Sequence, residues 1–177
     1  MYNESVFKNI HEDYLRSIIF GFQDSLVSTT GVIAGVSAGT NDKSLVILAS
    51  LVTITVESLS MGGGQYMSEK SVHQMDRMRK HTDNLYVGAV LMALSYFLGG
   101  LIPVLPIVVL ELPVSSTVSI ISALIGLFVL GYIKAKLVKV SPLRSALEIF
   151  VLDLARGGLG FSAISGGLIS NSEAAFL

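Results

Sequence analysis

Five stretches of this chain, near 17–39, 44–68, 86–110, 115–137 and 147–170, are each long and apolar enough to cross a lipid bilayer. A hydrocarbon core about 30 Å thick takes about 20 helical residues, and inside it every backbone N–H and C=O must be satisfied within the chain. The expected fold is therefore an all-α integral membrane protein with five transmembrane helices, and residues 1–177 form a single transmembrane domain. The composition agrees, with 51% hydrophobic and only 14% charged side chains. A net charge of −1 gives no reason to invoke nucleic acid, and the absence of cysteine excludes disulfides and thiolate metal sites.

The links between spans set the topology. Thr40-Asn41-Asp42-Lys43 joins the first two spans and Leu110-Glu111-Leu112-Pro113 joins the third and fourth, so each pair is expected to be antiparallel neighbours. Residues 1–15 hold Glu4, Glu12 and Asp13 and no apolar core, which argues against a signal peptide. Tyr2, Val6, Ile10 and Tyr14 recur there at helical spacing and predict an interfacial amphipathic helix. Basic residues orient the whole. One side carries Lys8, Arg16, Lys70, Arg77, Arg79, Lys80, Lys134, Lys136, Lys139 and Arg144, and the other only Lys43. The positive-inside rule then puts the N-terminus and the loops 69–85 and 138–146 in the cytoplasm. An odd number of spans leaves no inverted repeat inside one chain, so a pathway on a symmetry axis needs a homodimer.

Charges inside the spans carry the functional signal: Asp24, Glu57, Asp153 and Arg156. Each costs roughly 2.5–3.5 kcal/mol at the centre of a spanning helix, so together they add about 10 kcal/mol unless they pair, protonate or line a polar path. At about 1.5 Å per residue, Asp24 and Met61 lie about 12 Å from the cytoplasmic ends, Arg156 at a similar level, and Glu57 one turn deeper. Glu57 and Met61 share a helix face, as do Asp153 and Arg156. The surplus of carboxylates suits a divalent cation, and a soft thioether beside hard oxygens points to a transition metal such as ferrous iron. A cation entering a buried carboxylate site displaces its protons, so metal–proton exchange follows.

Each residue also has a plainer reading. Asp24 would pair with Arg156 or bond a hydroxyl such as Ser28, Asp153 and Arg156 would be a structural ion pair, and Met61 would fill core. Gly31, Gly35 and Gly39, four residues apart, read as a close-packing face. Gly62-Gly63-Gly64 reads as a hinge or unwound turn, and Pro103 and Pro106 as an end or kink of the third helix. In the loop after the second span, His73, Asp76 and His81 are loose metal candidates with no diagnostic spacing.

These residues resemble the vacuolar iron transporter (VIT1/CCC1) family. The first span, Gly21-Phe22-Gln23-Asp24-Ser25-Leu26-Val27 followed by Gly31-Val32-Ile33-Ala34-Gly35, is similar to that family's motif of Asp, a small residue, Leu and Val. Leu59-Ser60-Met61-Gly62-Gly63-Gly64-Gln65-Tyr66-Met67-Ser68 is similar to its Ser-Met, glycine and Tyr motif. Leu101-Ile102-Pro103-Val104-Leu105-Pro106 and the stretch 123–136 with Ser141-Pro142-Leu143-Arg144-Ser145 follow in the family's order, so the resemblance covers about 14–170. It implies a five-helix protomer that dimerises, with a metal pathway between protomers and export of ferrous iron, in some members manganese, from the cytosol in exchange for protons. Asp24 and Met61 match positions of the translocation site. Gln65 stands where many prokaryotic members have Glu, Glu57 where a small residue is usual, Asp153 and Arg156 where small or apolar residues are common, and Phe161 where Tyr is typical. The short loop 69–85 marks a short form lacking the extended cytoplasmic metal-binding domain.

The expected partners are thus the lipid bilayer, a divalent metal, protons and a second copy of the chain, with no prosthetic group. The expected location is a multi-pass position in a prokaryotic cell membrane, ahead of an organellar one. An intramembrane enzyme is not expected, because His11, His73 and His81 all lie outside the spans and no HExxH motif occurs. The competing reading is a non-transporting dimeric scaffold or metal-responsive module, in which Arg156 neutralises Asp24 or Glu57.

Overall fold

The computed structural model describes residues 12–75 and 84–138, which form four helices: α1 (Glu12–Gly39), α2 (Lys43–Met75), α3 (Leu85–Val109) and α4 (Val114–Val138). No strand occurs among the described residues. Each helix has the length and composition to cross a membrane, over Asp13–Gly39, Lys43–Met75, Leu85–Val109 and Val114–Leu137. The fifth expected span, 147–170, lies outside the described residues, as do residues 1–11 of the expected interfacial helix. Residues 12–16 run into the first span without a break. No Pro or Gly separates them from it, and the Ser17 hydroxyl bonds the Asp13 carbonyl at 2.9 Å across that junction.

The helix ends follow from their capping residues. Asp42 receives the backbone N–H of Ser44 at 2.9 Å and of Leu45 at 3.4 Å, satisfying two of the donors that a helix start leaves open. Asn84 does the same for α3, accepting from the Tyr86 N–H at 3.1 Å. The link between α1 and α2 and that between α3 and α4 meet at one end of the bundle, where Lys43 Nζ lies 3.1 Å from Glu111 Oε1. At the opposite end the Asn84 N–H donates to the Tyr14 hydroxyl at 2.9 Å, joining the starts of α3 and α1. Up-down-up-down order over these four helices accounts for both contacts.

Helices α1 and α3 form the centre and pack most extensively on each other, with α2 and α4 on either flank and not in contact. Small residues make this possible, since lipid supplies no hydrophobic drive between helices and association depends on close fit. The buried stripe of α2 is Val46, Ser50, Ile54, Ser58 and Gly62, one residue every four. At Gly99, α3 meets Ser25 and the Phe22 carbonyl of α1, and at Gly21, α1 lies where a Cβ would be 2.7 Å from the Met92 carbonyl oxygen. Leu48, Val56 and Leu59 of α2 and Leu98 and Leu105 of α3 point outward, as lipid-facing side chains do.

The described helices bear on three glycine and proline expectations. Among the described residues Gly31, Gly35 and Gly39 meet nothing within 4 Å of a Cβ position, and close packing of the four helices uses Gly21, Gly62, Gly99 and Gly100. Gly62-Gly63-Gly64 is not an unwound turn but continuous α2. Three glycines cost a helix about 3 kcal/mol. Unwinding in lipid instead leaves several backbone groups unsatisfied at several kcal/mol each, so the helix persists. Likewise α3 passes through Pro103 and Pro106 and ends only after Val109, where the Leu110 N–H bonds the Pro106 carbonyl at 2.8 Å. The Pro103 carbonyl accepts the Ser119 hydroxyl of α4 at 2.6 Å.

Candidate translocation site within the bundle

Glu57 sits midway along α2, where the sequence is otherwise Leu, Ile, Val, Thr and Ser. Its carboxylate is half-buried and turned to the two central helices. Ser28 of α1 donates its hydroxyl to Glu57 Oε2 at 3.0 Å, and Tyr96 of α3 donates to the same oxygen. The two hydroxyls also touch each other, so three helices share one polar node. Such contacts offset the cost of removing the carboxylate from water, because hydrogen bonds to an ionised acceptor are about twice as strong as neutral ones. The ion pairs formed among the described residues are Arg16–Asp13 and Lys43–Glu111, and neither involves Glu57.

The Ser28–Glu57 bond fixes the register of two antiparallel helices. Four residues back along α1 is Asp24 and four residues on along α2 is Met61, each one turn, about 6 Å, toward the same end of the bundle. Asp24 and Met61 therefore lie level, both half-buried, on the faces that carry Ser28 and Glu57. Ser28, a candidate partner of Asp24 in the plainer reading, bonds Glu57 and meets Tyr96.

Nearer the end that the basic residues assign to the cytoplasm, Gln65 Nε2 donates to Glu69 Oε1 at 2.5 Å. Glu69 in turn lies against α3 at Gly88, where a Cβ would come within 2.9 Å of its Oε1. Tyr66 and Tyr86 pack with ring centroids 5.2 Å apart, and Lys70 Nζ is 5.8 Å from the Tyr66 ring. His73 is half-buried in the last turn of α2. Among the described residues no group of three or more His, Cys, Asp or Glu could hold a metal ion. Asp76, His81, Asp153 and Arg156 lie outside the described residues.

Tyr96 and Glu69 are the polar side chains that reading the sequence overlooks. A tyrosine in an apolar span resembles core, and the signal that finds it is a hydroxyl placed on α3 at the depth of Glu57. Glu69 hides in a basic loop, and its signal is the four-residue spacing from Gln65.

These features define a polytopic helical membrane protein with a carboxylate-lined polar node inside its bundle. Residues 15–85 and 72–163 match the VIT family, and the chain belongs to that family. Vacuolar iron transporter homolog 2 of Arabidopsis thaliana is 25% identical over 147 residues, covering 77% of this chain and 75% of that protein. Vacuolar iron transporter 1 of the same plant is 23% identical over 197 residues, covering 77% and 79%. A vacuolar iron transporter of Toxoplasma gondii is 28% identical over 75 residues, covering 41% of this chain and 25% of that one.

Proposed function

We propose that this protein carries a divalent transition metal, ferrous iron first and manganese second, out of the cytosol in exchange for protons, working as a homodimer. The observation that carries this reading is the Glu57 carboxylate inside the bundle, bonded by the hydroxyls of Ser28 and Tyr96, one turn from the level shared by Asp24 and Met61. Asp24 and Met61 are the first station, a hard oxygen and a soft sulfur that together suit ferrous iron better than magnesium or calcium. Glu57 is the next station outward. Gln65, tied to Glu69, lies toward the cytoplasmic mouth, and Asp153 and Arg156 tune the path or its proton coupling.

Membership in the VIT family and relatives named vacuolar iron transporters support metal as the cargo. Those names also refer to the vacuole, so they lend nothing to a prokaryotic cell membrane, and an organellar membrane becomes the better reading. The scaffold reading needs Arg156 at Asp24 or Glu57, and Arg156 lies outside the described residues.

The test is flux into proteoliposomes with an acidic interior, comparing ferrous iron, manganese, zinc and cobalt. Wild-type protein is expected to take up ferrous iron fastest and Asp24→Asn to lose the uptake. Equal uptake by wild type, Asp24→Asn and protein-free vesicles contradicts the proposal.

A further inference from the structure

We infer that Tyr96, together with Ser28, is a positioning residue for the cation pathway: the two hydroxyls fix one oxygen of Glu57 and leave the other for the cargo. The inference rests on the metal-transport reading given above and assigns Tyr96 a part that the charge pattern of the sequence does not disclose. Both hydroxyls donate to Oε2, and among the described residues Oε1 accepts no hydrogen bond. A carboxylate oxygen has about two lone-pair sites. Oε2 is therefore filled and Oε1 is the atom open to a cation.

Hydroxyl donors suit this task in a way that a base would not. Lys or Arg at the same place would hold the carboxylate but cancel the charge that attracts a divalent ion. Ser28 and Tyr96 hold it and leave the charge in place. Among the described residues, Tyr96 of α3 is the titratable side chain bonded to Glu57, and Asp24 of α1 lies one turn from the Ser28 that bonds it. Neither adds a positive charge at Glu57.

Tyr96 is also rigidly placed. Its side chain is fully buried, and the turn of α3 that bears it is pressed by α1 at Gly21, where a Cβ would lie 2.7 Å from the Met92 carbonyl oxygen and 3.3 Å from the Tyr96 nitrogen. Backbone contact between the central helices thus sets where the phenolic oxygen stands. Glu57, on the flanking helix α2, takes its position from that fixed point. Groups that orient a metal-binding side chain in this manner commonly alter affinity by about 10–100-fold when removed.

Tyr96→Phe deletes the hydroxyl and keeps the ring. In proteoliposomes it is expected to raise KM for ferrous iron by about tenfold or more while kcat changes little. In a Glu57→Gln background the same substitution is expected to leave KM unmoved, because the group being positioned is gone; a role in packing alone would give equal effects in both backgrounds. Ser28→Ala, on a different helix, carries the same two expectations and serves where Tyr96→Phe does not fold. Wild-type KM in the substituted protein, or an undiminished effect in the Glu57→Gln background, overturns the inference. If Asp24→Asn stops flux while Tyr96→Phe and Ser28→Ala leave it unaltered, transport stands and positioning falls. If wild-type protein moves no metal, the transport reading falls and takes the inference with it.

Discussion

At the scale of single residues, what decides each side chain's effect is whether it has a partner at its depth in the bundle. Thr29, next to Ser28, is fully buried with its hydroxyl unpartnered among the described residues and packed near Gly100. A buried hydroxyl without a hydrogen bond costs about 1–3 kcal/mol. Thr29→Val, which keeps the shape and removes the hydroxyl, is therefore expected to raise the midpoint of thermal unfolding in detergent; a lower midpoint would show that the hydroxyl has a partner. Asp24 and Glu57 are legible in the sequence because a charge in an apolar span stands out. Tyr96 is not, because its role is defined by the hydroxyls and carboxylate it meets, 39 residues away in the case of Glu57. Ser28 enters the sequence reading only as one hydroxyl that Asp24 could bond, and it bonds Glu57. One helical turn separates the two choices, and only the register between α1 and α2 selects between them.

At the scale of elements, α2 shows how position along one helix overrides residue type. Gly62 faces α3, where a Cβ would lie 2.9 Å from the Ala89 carbonyl oxygen, whereas Gly63 and Gly64 meet nothing within 4 Å. Gly62→Ala is expected to lower stability by about 1–3 kcal/mol through overpacking against backbone. Gly63→Ala is expected to be neutral or to gain about 0.5–1 kcal/mol, since alanine loses less freedom in a helix. Thermal unfolding of the two variants side by side checks this, and equal effects would contradict the packing of α2 on α3. The sequence marks the helices clearly, because apolar length is a property of the segment itself. It misreads the interruptions: glycine and proline rules describe helices in water, while in lipid the backbone has no other partner and the helix is retained through Gly62-Gly63-Gly64 and Pro103. Close-packing glycines are likewise hidden, because Gly99 has nothing in its local sequence to mark the Ser25 and Phe22 it meets.

At the scale of the whole molecule, the two links joined by Lys43 and Glu111 belong to one membrane face, and the Tyr14–Asn84 contact to the other. The chain has no cysteine, so single cysteines can be introduced one at a time on a clean background. Asn41→Cys and Glu111→Cys are expected to react with a membrane-impermeant thiol reagent from the same side, and Gln74→Cys only from the other. Labelling of Asn41→Cys and Glu111→Cys from opposite sides would contradict the arrangement of the four helices.

The central claim is that metal and protons move in opposite directions through one path. It is tested most directly by recording ferrous iron uptake and internal pH together in vesicles whose interior starts acidic. The account predicts that iron enters as internal pH rises, and that Asp24→Asn abolishes both changes. Iron uptake with no accompanying rise in internal pH beyond that of protein-free vesicles, or uptake that persists undiminished in Asp24→Asn, would contradict it.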